Sequence, residues 1–180
     1  ADDTVRAIAG DLAAPDLAAR ALDGIDAIVH AGAMVSWLAS YPALRGPNVL
    51  GTIALLELAA ARGIPMHHVS TISTAPATGD EDSRLGFDSV LASTPYALSK
   101  WIAEEHVRRA AIAGVPAAIY RPAMIAADTR RGIGNPDDFL NRYLAGCIEL
   151  GMYIDAEDAV IDMTPVDFVA DAIAALVVAE

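Results

Sequence analysis

The sequence predicts an α/β protein built on a doubly wound parallel sheet with helices on both faces. Short apolar segments alternate with helical periods over short connections, which is the order of parallel βαβ units. Residues 26–30 are almost all apolar, as expected for a strand that is covered on both faces. Small or polar residues directly follow each predicted strand, where sheets of this class bind ligands. The sequence therefore predicts one ligand crevice at the carboxyl edge of the sheet.

Strands and helices alternate through the first two thirds of the chain. Strands are predicted over residues 4–9, 26–30, 66–69 and 115–120, and helices over residues 14–22, 41–62 and 94–113. Pro47 is expected to kink or restart the second helix, which Gly63 and Pro65 end. A polar loop is predicted over residues 74–93.

Past residue 122 the pattern changes. A loop is predicted over residues 132–135, a helix over 136–150, a brief strand over 160–163, and a last helix that runs to residue 179. Thr164 is expected to cap that last helix, with Pro165 at its first position and Asp167 in its first turn. The sequence therefore divides into residues 1–130 and residues 131–180.

Composition and charge exclude several classes of protein. The chain has 180 residues, 54% of them hydrophobic, and a mean hydropathy of +0.39, which excludes disorder. The formal charge of −12 argues against nucleic acid or an anionic membrane as partner. No apolar run reaches the roughly 18 residues of a membrane span. The single cysteine, Cys147, excludes an internal disulfide and favours a reducing compartment, so a cytoplasmic location is predicted.

No metal site is predicted. His67 and His68 are adjacent on a strand and point to opposite faces, so they cannot chelate one ion together. The acidic residues of the 74–93 loop lack the spacing and the glycine turn of a calcium loop.

Tyr96 and Lys100 form the most informative pair of the chain. Side chains four residues apart on a helix project from one face and can act on one ligand. A neighbouring ammonium is expected to lower the pKa of the phenol toward the working range, which suits proton transfer to an oxygen on carbon. A pair at this spacing also occurs by chance on many helices.

The motifs around this pair resemble those of one family. They are Gly10-Asp11-Leu12, Val29-His30-Ala31-Gly32-Ala33, Asn48-Val49-Leu50-Gly51-Thr52, Val69-Ser70-Thr71, Tyr96 with Lys100, and Tyr120-Arg121-Pro122. With them the chain resembles the extended short-chain dehydrogenase/reductase family. Runs at residues 134–140, 146–151 and 162–169 resemble, within it, the thioester reductase domains that terminate nonribosomal peptide synthetases, polyketide synthases and carboxylic acid reductases.

The resemblance implies a Rossmann-like fold that is incomplete at both ends of this chain. The Gly-rich βα unit that holds a dinucleotide's pyrophosphate has no counterpart here, so a piece of a longer multidomain protein is expected. Residues 1–130 would be a partial dinucleotide-binding domain. Residues 131–180 would begin the substrate-facing region and add a returning helix. Alone, the piece is expected to bind a dinucleotide poorly, and an inactive folding unit is one alternative for it.

The resemblance also implies roles for single residues. Tyr96 would donate a proton to the substrate carbonyl oxygen, and Lys100 would hold the nicotinamide ribose and lower the phenol's pKa. Thr71 would hydrogen-bond the same oxygen; Ser70 and Ser73 are rivals, and Thr71 could instead only satisfy the loop backbone. The implied cofactor-binding set contains Asp11, Leu12, His30, Ala31, Gly32, Ala33, Asn48, Ser70, Tyr96, Lys100, Arg121, Pro122, Met124 and Ile125.

Several members of this set have plainer alternatives. Asp11 would contact the adenine edge or else cap a helix, and Leu12 would pack on the ring. His30 is expected to be a structural hydrogen-bonding group. Asn48 is expected to brace the backbone near the active-site strand. Arg121 has the alternative of an ordinary ion pair.

The predicted function is NADPH-dependent reductive release of an acyl or peptidyl thioester, carried by a phosphopantetheinyl carrier domain, as an aldehyde or further as an alcohol. NADH stays an alternative, because the residue that reads a 2′-phosphate has no counterpart. The first rival is a free-standing enzyme of the same family that acts on a sugar nucleotide or a small carbonyl. The second is a dinucleotide-binding module without turnover.

Overall fold

The computed structural model describes residues 5–14, 24–155 and 160–179, which fall into two units, Ala1–Arg121 and Pro122–Glu180. The first unit contains a three-stranded parallel sheet. Its strands are β1 (Ile28–His30), β2 (Met66–Val69) and β3 (Ala117–Tyr120), in the order β1-β2-β3. His30 lies opposite His68, and Val69 lies opposite Tyr120. The predicted parallel sheet is therefore confirmed.

The helices of the first unit follow the predicted order. They are α1 (Tyr41–Leu44), a π-helical segment (Arg45–Leu50), α2 (Gly51–Arg62), α3 (Phe87–Leu91) and α4 (Pro95–Ile112). Pro47 lies in the π-helical segment, so the irregularity that the proline predicts is a widened turn within a continuous helix. Gly63, at φ 64°, ends α2 in the left-handed conformation that glycine adopts freely.

The core of the first unit lies between its sheet and helices. It contains Ile28, Leu55, Leu56, Ala59, Met66 and Val107. Ile28 and His30 of β1 are buried, whereas Val29 is 48% exposed. The apolar run predicts a strand that is covered on both faces, but the face of β1 that carries Val29 is partly exposed.

The second unit contains a two-stranded parallel sheet and two helices. The strands are β4 (Met124–Ala126) and β5 (Met163–Pro165), and the helices are α5 (Phe139–Leu150) and α6 (Val166–Ala179). Asp138 caps α5 by accepting a hydrogen bond from the Asn141 backbone N–H at 2.7 Å. Gly151, at φ 64°, ends it.

Four expectations about the elements were wrong. Residues 5–9 form no regular structure, and Val5 is 77% exposed, because a strand needs a ladder partner that composition alone does not supply. The brief strand begins at Met163 instead of residue 160. Thr164 and Pro165 consequently lie in β5 and do not cap α6. The predicted loop at residues 74–93 contains a helix, α3.

Two further points concern the described residues. The predicted helix over residues 14–22 lies outside them from residue 15 onward. Within the ranges that the structure describes, no helix combines the length and the apolar character that crossing a membrane requires.

Candidate active site

The carboxyl ends of the three strands meet at one edge of the first unit's sheet. Ser70, directly after β2, donates its backbone N–H to the Tyr120 carbonyl at 2.6 Å. Ala31 and Arg121 follow the neighbouring strands at the same edge. The structure therefore gathers the residues that follow the three strands as the sequence predicts.

Helix α4 brings Lys100 to the end of β2. Thr94 caps the helix through the Ala97 N–H at 3.1 Å, and Pro95 occupies its first turn. Lys100 is only 2% exposed, and its Nζ donates to the Val69 carbonyl at 2.8 Å. Burial lowers the pKa of Lys100 to about 8, although the carboxylate of Glu104 acts in the opposite direction.

Tyr96 lies one turn before Lys100 and is half-buried. Burial raises the pKa of the Tyr96 phenol above its usual 10. The expected lowering by Lys100 is therefore wrong for this structure, in which the ammonium is hydrogen-bonded to β2 and desolvation of the phenol dominates.

Asn48 braces the backbone around this turn of α4. From the π-helical segment, its Oδ1 accepts the Met34 N–H at 2.7 Å, and its Nδ2 donates to the Met34 carbonyl at 3.0 Å. Nδ2 also lies 3.0 Å from Ser99 Oγ, which donates to the Tyr96 carbonyl at 2.7 Å. Asn48 thus ties the loop after β1 to the turn of α4 between Tyr96 and Lys100.

His30 has a structural hydrogen bond. Its Nε2 lies 3.0 Å from Thr52 Oγ1, whose single hydrogen is donated to the Asn48 carbonyl at 2.7 Å. Nε2 must therefore carry a proton and donate to the hydroxyl. Burial, with a smaller contribution from Lys100, lowers the pKa of His30 to about 4, so the ring is neutral at pH 7.

A buried carboxylate forms the centre of a second network. Glu104, 2% exposed, accepts from Thr74 Oγ1 at 2.9 Å and pairs with Arg108 and Arg121. Burial alone would raise the pKa of Glu104, but the hydrogen bond from Arg121 and further donors outweigh it and lower that pKa. Arg121 also donates to the Ser83 carbonyl at 2.7 Å. Arg121 thus forms the ordinary ion pair that was the alternative to its predicted role in cofactor binding.

Thr71 begins the 3₁₀ turn Ile72–Thr74 at the end of β2. Its Oγ1 accepts the Ser73 N–H at 3.3 Å and lies 3.4 Å from Ser73 Oγ. These contacts satisfy the loop backbone, which was the plainer alternative. The roles of Thr71, Ser70 and Ser73 toward a carbonyl oxygen stay predictions.

Asp11 and Leu12 lie in a turn. Asp11 Oδ1 accepts the Ala13 N–H at 2.9 Å. Leu12 fills the space above two glycines: a Cβ at Gly32 would lie 2.7 Å from Leu12 Cδ1, and one at Gly51 would lie 2.6 Å from the Leu12 carbonyl oxygen. Packing of Leu12 thus explains both glycines, while the adenine and phosphate contacts of this region stay predictions.

Of the residues predicted for the site, Arg121 lines a cavity of the first unit, whereas the predicted catalytic residues do not. This cavity, of about 640 Å³, is lined by Val107, Arg108, Ile119 and Arg121, among others, and not by Thr71, Tyr96 or Lys100. In the second unit, Met124 lines an apolar cavity of about 200 Å³ with Phe139, Leu140, Tyr143, Ile154 and Ile161. Ile125 also lies in β4, and Pro122 precedes that strand. The cofactor roles of these two residues stay predictions. The described residues contain no cluster of three or more side chains suited to a metal ion.

Sequence reasoning missed two contributors. His68, assigned no role from its sequence, lies with its Nε2 3.4 Å from Lys100 Nζ. Glu104 was not singled out, although its spacing of four residues from both Lys100 and Arg108 places all three on one face of α4.

Comparison with known proteins identifies relatives of this chain. The family model NAD_binding_4, Male sterility protein, matches residues 1–173. L-2-aminoadipate reductase of Schizosaccharomyces pombe is 36% identical over an alignment of 168 positions, which covers 84% of this chain and 12% of that protein.

Two solved structures share the fold. The terminal R domain from the myxalamid PKS-NRPS biosynthetic pathway is 38% identical with a TM-score of 0.80, over 93% of this chain and 45% of that chain. A thiolation-reductase di-domain from an archaeal non-ribosomal peptide synthetase is 26% identical with a TM-score of 0.78, over 93% of this chain and 39% of that one. The chain therefore spans less than half the length of each of these relatives.

These matches confirm the Rossmann-like fold and the resemblance to terminal reductase domains. Since the family model covers all but the last seven residues of the chain, this protein belongs to the NAD_binding_4, Male sterility protein family.

Proposed function

We propose that the chain is part of an NADPH-dependent reductase that releases a carrier-bound acyl or peptidyl thioester as an aldehyde. The observation that carries the proposal is the buried Lys100, held at the carboxyl edge of the sheet one helical turn from Tyr96. The similarity to an aminoadipate reductase and to a terminal R domain supports a reductive reaction of this class.

The residues at the strand ends fit a nicotinamide nucleotide. The Lys100 ammonium has three N–H groups, and the described residues provide acceptors for two of them, the Val69 carbonyl and His68 Nε2. The third is available to a ribose hydroxyl. Ala31, Gly32 and Ala33 are small, so a ligand can approach the backbone of the loop after β1 closely. When bound, the cofactor would supply the hydride.

Tyr96 and Thr71 would act at the substrate oxygen. As hydride reaches the thioester carbon, negative charge develops on this oxygen, and the Thr71 hydroxyl would stabilise it as a hydrogen-bond donor. Tyr96 would donate its phenolic proton to the same oxygen. The carbon–sulfur bond of the resulting hemithioacetal would then break while its hydroxyl gives up a proton to the departing thiolate, which leaves the aldehyde and the free thiol of the carrier arm.

A carrier domain is the proposed partner. The similarity to a thiolation-reductase di-domain supports this. The chain's charge of −12 opposes an acidic carrier, so docking would use local basic residues. Arg131 and Arg142 have side chains exposed by 74% and 71%, and each lies near a single carboxylate, at 3.7 and 3.5 Å. Arg130 is the third basic residue that the proposal assigns to carrier docking.

The test uses the full-length parent protein with Tyr96→Phe and Lys100→Ala. Loss of the proton donor is expected to lower the rate of aldehyde release by about 10²- to 10⁴-fold. The assay follows NADPH consumption and aldehyde formation from an acyl-loaded carrier, with NADH in parallel. Tyr153→Phe is the matched control, since Tyr153 is 78% exposed and should leave the rate unchanged. Full activity of Tyr96→Phe would refute the mechanism.

A further inference from the structure

We propose that His68 is a positioning residue for Lys100, whose ammonium it orients by accepting a hydrogen bond at Nε2. This inference rests on the proposed function, because the orientation matters only if Lys100 takes part in the reaction. His68 would touch neither substrate nor cofactor.

The geometry gives the ammonium two acceptors on adjacent residues of β2. The Val69 carbonyl lies 2.8 Å from Lys100 Nζ, and His68 Nε2 lies 3.4 Å from it. His68 is fully buried, and Lys100 is 2% exposed, so water does not compete for these bonds. Two acceptors in different directions limit the rotation of the ammonium more than one would.

The protonation state of the His68 ring follows from its partner. An ammonium has hydrogens to give and no lone pair, so Nε2 must be unprotonated and the ring proton lies on Nδ1. Burial, the Lys100 charge and His30 together hold the pKa of His68 well below its usual range, so the ring stays a neutral acceptor at neutral pH. The groups that act on this site are His30 on β1, whose ring centroid lies 5.3 Å from that of His68, and Glu104 on α4. Tyr96 lies one turn before Lys100 on the same helix.

The other ring nitrogen indicates that the histidine is not there for packing. His68 Nδ1 is buried and has no hydrogen-bond partner among the residues that the structure describes. A buried N–H without an acceptor is destabilising, and an apolar side chain of similar size would avoid this cost. Contact of Nε2 with Lys100 is the interaction that an apolar residue could not make.

Three substitutions in the full-length parent protein separate positioning from packing. His68→Gln places an amide oxygen near the position of Nε2 and can still accept from Lys100. His68→Asn is equally polar but too short to reach the ammonium, and His68→Leu fills the space without an acceptor. Thermal unfolding of each variant establishes that it folds, and the comparison of Gln with Asn decides the question even if Leu does not.

The readouts are kcat, KM for NADPH, and the alkaline limb of the pH profile of kcat/KM. A hydrogen bond to the charged form raises the pKa of Lys100, so its loss lowers that pKa and moves the alkaline limb to lower pH. For Asn and Leu we expect a shift of up to about one pH unit and a fall in kcat of roughly tenfold. The Gln variant should stay near the wild type in both. Equal profiles for Gln and Asn, or an unmoved limb, would overturn the inference.

Two controls keep the outcomes distinct. If Tyr96→Phe and Lys100→Ala retain activity, the proposed function itself fails. If they are inactive while the His68 variants match the wild type, only the positioning role fails. Nitrogen-15 NMR of histidine-labelled wild-type protein adds a test without substitution: we expect a protonated Nδ1 and a bare Nε2, and a proton on Nε2 would contradict the inference.

Discussion

The two units of the chain hold their polar side chains in different ways. In the first unit, Lys100 and Glu104 are each only 2% exposed and are surrounded by partners from several elements. In the second unit, α5 and α6 contain no buried residue. Its polar contacts include exposed ones, such as the turn in which Asp128 accepts the N–H groups of Arg130 and Arg131 and the contact of Thr129 with Asp167. Buried charge is therefore a feature of the helix that carries Tyr96, and substitutions there should have the larger consequences.

The largest difference is expected between two ion pairs, one from each unit. In Glu104→Gln, Arg121 and Arg108 lose the charge that balances them, and breaking such a buried pair costs about 4 kcal/mol. Asp137→Asn is the matched change, because Asp137 and Arg142 are exposed by 78% and 71%, and it should have no measurable effect. Hydrogen exchange measured by mass spectrometry on the parent protein gives the local opening free energy of each helix. Equal changes in local opening free energy for Glu104→Gln and Asp137→Asn would contradict the expected difference between the two units.

The next difference concerns apolar side chains. Met66 of β2 is fully buried in the core, so Met66→Ala should reduce the free energy of unfolding by about 3 kcal/mol. Ile148 of α5 is 82% exposed, and Ile148→Ala should change it by less than about 0.5 kcal/mol. Thermal and urea unfolding of the parent protein measure both. A large loss at Ile148 would mean that another part of the parent protein covers this face of α5.

The sequence predicted the parts of the fold that depend on local signals. Residues 66–69 form β2 at the predicted bounds, and the helix predicted over residues 94–113 is α4 with Thr94 as its cap. These signals are apolar runs, caps and breakers, which act within a few residues. The pairing of β4 with β5 depends on contacts between distant segments, and no local pattern in β4 predicts it.

In the candidate site, too, the sequence predicted what depends on local spacing and missed what depends on contacts with the sheet. The spacing of Tyr96 and Lys100 places them on one face of α4 without any knowledge of the sheet. The direction of the Lys100 ammonium depends on the register of β2, which sets Val69 and His68 beside it. Sequence reasoning assumed that the ammonium acts on the phenol, and it missed the competing acceptors on the strand.

The smallest predicted effect concerns the helix caps, which are alike in the two units. Thr94 caps α4 and Asp138 caps α5, each through one backbone N–H, at 3.1 and 2.7 Å. Replacing either by alanine should cost about 1 kcal/mol of helix stability, seen as faster hydrogen exchange in the first turn. The functional consequences should nevertheless differ. Tyr96 lies in the turn that Thr94 caps, so Thr94→Ala should also lower kcat, whereas Asp138→Ala should leave kcat near the wild-type value. A fall in kcat of equal size in both variants would show that the second unit is as closely coupled to the reaction as α4, and the contrast would no longer hold.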